Sequence, residues 1–245
     1  MSSRGPGHAR QVAAQKLAEQ RASQRRRTAV LVTLVVVAVL AVAAVTGIAI
    51  YRSQSKAPAG SATPRGGTAT GIVVGKAAAP AGMDLYLDFQ CPACKQFEDT
   101  SGATLDRYVA ASTLKIDYHP VAFLDPYSSG TRYSTRSSAA SACAADAGVF
   151  PAYVKALYAN QPPEGGTGLT DDQLVALGRQ VGATSADFAT CVKTHRYEPW
   201  TAGVTEAASK AGVNGTPTVL VAGKPVDVPT TANVVAAIEA AAKGG

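Results

Sequence analysis

The residues best placed to do chemistry are two cysteines separated by Pro92 and Ala93 in the stretch DFQCPAC, residues 88 to 94. Two thiols at this spacing can hold a metal, close a static bridge, or cycle between dithiol and disulfide. A zinc site takes four ligands, usually as two close pairs. The other two cysteines, Cys143 and Cys191, stand far apart, and the histidines are His8, His119 and His195. Haem attachment needs a histidine directly after the second cysteine, and Lys95 is there. A structural bridge stays open as an alternative. The redox reading has a mechanism: Cys91 falls where a strand ends and a helix begins, so the positive end of the helix and its unpaired N–H groups lower the thiol pKa. Cys94, one turn further in, is within reach to close a disulfide. Pro92 and Ala93 bring no charge, so the tuning falls to the helix terminus and to neighbours from elsewhere. No metal and no cofactor is called for.

The elements that must hold this pair can be read from the flanks. GIVVG (71 to 75) reads as a short strand, and MDLYLDF (83 to 89) as a second, with Leu85, Leu87 and Phe89 alternating with Asp84, Tyr86 and Asp88. From Pro92 to about residue 111 the pattern turns helical, and Pro92 suits the first turn, where a missing N–H costs nothing. LKIDYHPVAFL (114 to 124) is the next strand, which makes the helix the crossover of a strand, helix, strand unit. An Ala-rich block punctuated by Gly and Pro follows from about 126 to 212. It reads as helices near 132 to 147, 150 to 159, 170 to 180, capped around Thr170, and 185 to 210 with a break near Pro199. TPTVLV (216 to 221) restores strand texture, AGKPV turns into a short edge strand, and Thr230 or Thr231 caps a last helix.

Composition sets the compartment. The chain has 245 residues, 47% of them hydrophobic, enough for one good core plus appendages. The uncharged run from Thr28 to Tyr51 is long enough at helical rise to cross about 30 Å of hydrocarbon. A cleaved signal peptide is the competing reading, but its apolar region is usually about 7 to 15 residues. The expected organisation is a basic cytoplasmic tail over 1–28, a transmembrane helix over 29–51 embedded in the lipid bilayer, a flexible Ser/Ala/Gly/Pro linker over 52–70, and a folded domain over 71–245. Positive residues mark the cytoplasmic side, and Arg4, Arg10, Lys16, Arg21, Arg25, Arg26 and Arg27 all precede the span, so the domain faces outward. The net charge of +6 sits in that tail, and the remainder is formally neutral, which removes any case for nucleic-acid binding. All four cysteines fall on the outward side, where disulfides persist.

A second motif, GVNGTPTVLV (212 to 221), gives the first its context. A CxxC at a strand-to-helix junction, a Gly-Thr-Pro-Thr turn before a late strand and a helical block between them resemble the DsbA-like branch of the thioredoxin superfamily over residues 71 to 243. The resemblance implies an α/β thioredoxin fold with an inserted α-helical domain, preceded by one N-terminal transmembrane helix. It implies that Cys91 is the exposed nucleophile, Cys94 its buried partner, and Pro217 a cis-proline against the disulfide, with Thr216 presenting backbone groups to a bound peptide as an added strand. There is one departure: members often keep a buried acid six residues before the first cysteine, and Leu85 stands there. Asp88 matches an acid common in the branch and is the possible proton relay, with a solvated strand-end Asp as the alternative. Cys143 and Cys191 are either free buried thiols or, as expected in an oxidising compartment, a structural disulfide.

His119 is expected as a half-exposed strand histidine, His195 and Trp200 as surface and packing residues. Tyr127, Tyr133, Tyr153 and Tyr158 either line a peptide groove or pack helices. The implied activity is that of an extracytoplasmic protein thiol-disulfide oxidoreductase acting on reduced exported proteins, re-oxidised by a quinone-linked membrane partner of the DsbB or vitamin-K-epoxide-reductase-like kind. The alternatives are a reductase or isomerase of the same fold, or a tethered peptide-binding or chaperone module whose CPAC is static.

Overall fold

In a computed structural model, the structure describes residues 62–244. The expected basic tail, the span over 29–51 and the linker up to residue 61 lie outside the described residues. Among the described residues no helix is long and apolar enough to cross a membrane.

Five strands form one sheet in the order β1-β3-β2-β4-β5. β1 is Ile72–Val74, β2 Ala81–Leu87, β3 Leu114–Pro120, β4 Thr218–Val221 and β5 Lys224–Pro225. β2 and β3 run parallel with Leu85 opposite Tyr118, and β1, β4 and β5 add antiparallel. The parallel pair is joined by helix α1, Pro92–Ala110, the crossover expected from the sequence. β2 starts two residues earlier than its apolar alternation suggests, and buried Ala81, Met83, Leu85 and Leu87 alternate there with half-buried neighbours. The final helix, α7, covers Thr231–Gly244 and packs against β2 and β4 through Val234 and Ile238, both buried.

Between β3 and β4 lie a single 3-10 turn, Asp125–Tyr127, and five helices: α2 Tyr133–Asp146, α3 Phe150–Ala159, α4 Asp171–Gln180, α5 Ala186–Lys193 and α6 Glu198–Lys210. Their bounds follow local chemistry. Thr170 and Gln173 form a reciprocal capping box at α4, Ser185 caps α5, and Pro199 opens α6, dividing the 185 to 210 segment in two. Small residues make α2 the hub of the insertion: Ala139, Ala140, Ala142, Ala144 and four serines are buried, so α3, α5 and α6 approach it closely. Cys143 of α2 is disulfide-bonded to Cys191 of α5.

Two sequence expectations change, and one alternative left open is decided. The end of the compositional linker is tied to the domain: Trp200 Nε1 donates to the Thr68 carbonyl at 2.9 Å and Arg65 N to Asp146 Oδ1 at 2.8 Å. His119 is only 4% exposed, because its ring stacks on Tyr86 and its nitrogens meet the Thr70 carbonyl and Asp84. Tyr133, Tyr153 and Tyr158 are fully buried helix-packing residues, and Tyr127 alone of the four is exposed.

Candidate active site

β2 delivers the chain at the end of the sheet, and residues 88 to 90 make the short turn into α1. Cys91 is the residue that caps α1, with extended backbone, and Pro92 takes the first helical position. The Cys91 carbonyl accepts from Cys94 N and Lys95 N, so this first turn is closed. Both thiols are reduced, and Cys91, expected as the exposed sulfur, is itself buried at 8% exposure against 2% for Cys94. Thr216, which precedes a cis peptide bond to Pro217, meets the pair from the other side. Cys91 Sγ lies 3.3 Å from the Thr216 carbonyl oxygen, to which its thiol donates.

The two sulfurs are driven apart electrostatically. The Cys91 pKa falls from 9.0 to about 6: hydrogen bonding from the Cys94 thiol contributes most, burial opposes it, and the Thr216 side chain and the backbone N–H groups of Cys94 and Ala93 add to it. Cys94 moves the opposite way, pushed well above 9.0 by burial and then by the Cys91 sulfur beside it. Of the two sources expected, the helix terminus acts through two N–H groups and the outside neighbour through Thr216, both behind a larger contribution from the partner thiol.

Asp88 is fully buried rather than a solvated strand end. Its Oδ1 accepts from Gln90 N at 2.9 Å and Ser134 Oγ at 2.7 Å, and its Oδ2 from Leu124 N at 2.9 Å. Burial outweighs these donors and raises its pKa to about 6. Leu85, where a relay acid was sought, is buried in the sheet core at 2% exposure. Two further contacts were not legible in the sequence. Gln161, from the loop after α3, donates to both the Phe89 and the Cys91 carbonyls at 3.0 Å, and Gln90 Nε2 donates to the Tyr127 carbonyl at 2.8 Å. Neither glutamine belongs to a pattern, and only the fold brings the insertion onto the CPAC turn. His119 is no part of this arrangement. Beside Ala93 and Pro217 opens a cavity of about 610 Å³, lined also by Phe97, Val228 and Pro229.

A nucleophilic thiolate with a protonated partner, a peptide backbone beside the reactive sulfur and an adjoining apolar cavity can together carry thiol-disulfide exchange on a polypeptide. A family model described as Thioredoxin matches residues 67–240. The chain belongs to this thioredoxin family. Among solved structures, oxidised DsbA of Mycobacterium tuberculosis is 30% identical at a TM-score of 0.62, covering 70% of this chain and 92% of that one. The reduced disulfide bond oxidoreductase DsbG of Mycobacterium tuberculosis is also 30% identical at 0.60, covering 70% and 91%. BdbD of Bacillus subtilis, 22% identical at 0.61 over 75% and 98%, shares the fold. A stretch of 130 residues is 34% identical to the serine/threonine-protein kinase PknE of Mycobacterium tuberculosis, covering 51% of this chain and 23% of the kinase. The chain thus spans about a quarter of the length of that curated relative. Within its thioredoxin family, this chain is a DsbA-like thiol-disulfide oxidoreductase.

Proposed function

We propose that the chain is a membrane-anchored, extracytoplasmic oxidase that introduces disulfides into exported proteins through Cys91 and Cys94. The observation that carries the direction is the opposed tuning of the two thiols. With Cys91 at about 6, the reduced pair holds a thiolate at neutral pH. Stabilising that thiolate favours the dithiol and makes the disulfide oxidising.

In the oxidised enzyme a substrate thiolate attacks Cys91 Sγ, the Cys91–Cys94 bond breaks, and Cys94 leaves with the electron pair and takes up a proton. A second substrate thiolate attacks the substrate sulfur of the mixed disulfide and expels Cys91 as a thiolate. The substrate has lost two electrons and the pair has gained them. Thr216 offers its backbone to the extended substrate chain, and Pro217 forms one wall of the cavity beside it. Asp88 can hold a proton near pH 6 beside the pair, where its carboxyl feels the Cys91 sulfur and its backbone hydrogen-bonds Cys94, the part of a relay. Return to the disulfide needs an electron acceptor, for which a quinone-linked membrane protein of the DsbB or vitamin-K-epoxide-reductase-like kind is the proposed partner. The apolar run over 29–51, with seven basic residues before it against Arg52, Lys56 and Arg65 after it, supports the anchored, outward-facing placement.

The test is the reduction potential of the pair in the full chain in detergent micelles, equilibrated against glutathione buffers. A value above about −180 mV is the expected result, and one near −270 mV, the range of a thioredoxin-type reductant, reverses the electron flow and makes this a reductase.

A further inference from the structure

Away from the redox pair, on the parallel strands β2 and β3, three metal-ligating side chains converge that the exchange reaction does not use. Asp84 and Asp117 are directly opposite each other in the β2–β3 register, and Tyr86 is opposite His119. One ligand atom each from Asp84, Asp117 and His119 lies within 4.8 Å of the other two. Like charges placed directly across a strand pair repel, and the basic side chains that act on Asp117 here are His119 and Lys115.

The hydrogen bonding of His119 defines what is missing. The ring is buried, and its Nδ1 lies 2.6 Å from the Thr70 carbonyl oxygen, which can only accept, so Nδ1 carries a proton. Nε2 then faces Asp84 Oδ1 at 3.2 Å. In the neutral ring both of those atoms are acceptors. Protonating Nε2 would satisfy Asp84 with its one additional proton, but Asp117 Oδ1 would remain: that atom is buried and has no hydrogen-bond partner. Lys115, two residues before Asp117 on the same strand, acts on it through space and gives its Oδ1 no hydrogen bond. Residue 71 is glycine, and a Cβ there would overlap Asp117 Oδ1, so the carboxylate packs directly against the Gly71 backbone.

We propose that Asp84, Asp117 and His119 form a structural binding site for a divalent cation of the zinc or manganese class. A single ion accepts a lone pair from all three ligands at once, which a proton cannot do. The separations allow it: a tetrahedral ion bound at about 2.0–2.1 Å sets its ligand atoms roughly 3.3 Å apart, His119 Nε2 and Asp84 Oδ1 are 3.2 Å apart, and Asp117 offers an oxygen within 4.8 Å of the ligand atoms of both. A histidine whose Nδ1–H is held by a backbone carbonyl presents Nε2 in the orientation usual for a metal ligand. The Asp84 side chain is 39% exposed and borders a solvent-facing cavity with Asp117 and Lys115, which leaves an approach for the ion and positions for water. One nitrogen and two carboxylates suit zinc or manganese better than calcium, which takes six to eight oxygens. The site lies along β2 from Cys91 and ties β2 to β3, so its effect falls on the stability of the sheet.

The experiment is calorimetric titration of the chelator-stripped full chain in detergent micelles with Zn²⁺, then Mn²⁺ and Ca²⁺, with both cysteine pairs oxidised so that thiolates do not compete. The expected result is one saturable site per chain with Zn²⁺ at least about tenfold tighter than Ca²⁺, and a melting temperature that climbs with Zn²⁺ concentration. Asp84→Asn and Asp117→Asn each weaken Zn²⁺ binding by about 10–100-fold. Asp84 is the more exposed of the ligands, so its variant stays folded if the buried positions do not tolerate change. Absence of saturable binding below about 1 mM, wild-type affinity in both variants, or Ca²⁺ binding as tight as Zn²⁺ overturns the assignment.

Discussion

Cys91 and Cys94 occupy the first turn of α1, whereas Cys143 and Cys191 join two helices of the insertion, α2 and α5, across 48 positions of sequence. The first pair meets polar groups on every side: backbone N–H groups, the Thr216 peptide, a buried carboxylate and each other's sulfur. Cys143 and Cys191 are 1% and 2% exposed, and Cys143 lies among the alanines of α2. The same element thus takes two roles. Where thiolate formation is favoured at one sulfur and opposed at its neighbour, the bond is made to open and close. Where both sulfurs are sealed and bridge a long loop, the bond constrains the chain.

The largest test of this contrast is to exchange the losses. Cys91→Ser is expected to lower the rate of disulfide transfer to a reduced substrate by more than about a thousandfold, since it removes the nucleophile. Cys143→Ser with Cys191→Ser is expected to leave that rate unchanged in a stopped-flow assay below the unfolding temperature. If the second variant is also inactive while folded, the division of labour fails. The double variant should instead show its effect in denaturant unfolding, where opening a loop of about 50 residues costs roughly 4 kcal/mol in the chain-entropy account. A loss below about 1 kcal/mol would mean that the packing around α2 already supplies the constraint.

Much of this contrast was legible in the sequence, unevenly. CPAC at a strand-to-helix junction and GTPT before the last long strand specified the redox pair and the peptide facing it, because both motifs act through local backbone geometry. Helix bounds carried by caps, such as Thr170 and Pro199, were equally readable. What escaped was set by tertiary contact. Asp88 has the same local pattern whether solvated or sealed, and only the arrival of Leu124 and Ser134 buries it. Gln161 has no signature at all. His119 reads as half-exposed by strand alternation, yet the chain at Thr68 to Gly71 comes back over β3 and covers it. Asp84, Asp117 and His119 carry no short spacing that marks a ligand set, because they meet only across two strands.

A smaller effect separates the sources of the Cys91 tuning. Thr216→Val keeps the shape and removes the hydroxyl. A hydrogen bond to a charged group contributes roughly 1.5–3 kcal/mol net, and the Thr216 share stands behind that of Cys94, so the Cys91 midpoint is expected to rise from about 6 by roughly one unit. Thiolate absorbance at 240 nm across pH 4 to 9 reads this directly. An unchanged midpoint would leave the tuning to Cys94 and the helix N–H groups alone. The wild-type curve carries a stability prediction as well. Because the folded Cys91 pKa is below 9.0, the reduced protein gains stability that is complete above pH 9 and lost as pH falls through about 6. Asp88 contributes with the opposite sign: its raised pKa costs stability above about 6, and the cost disappears as pH falls below 3.8.

The smallest effect isolates that carboxylate. The Cys91 sulfur raises the Asp88 pKa, but as the weakest of the causes acting on it. Coupling between two titrating groups is reciprocal, so the Asp88 charge must raise the Cys91 pKa by the same small amount. Asp88→Asn removes the charge while keeping an oxygen for the donors around it, and the Cys91 midpoint is expected to fall by a few tenths of a unit. The exchange rate separates a through-space effect from a relay. If Asp88 acts only by its charge, the rate follows the thiolate fraction and hardly changes at pH 7. If it carries the Cys94 proton, the rate falls several-fold at neutral pH and is restored by small buffer acids, which shuttle the proton in its place. Rescue by buffer would tie the buried acid to the reactive pair and sharpen the contrast with Cys143 and Cys191, whose bond is never required to open.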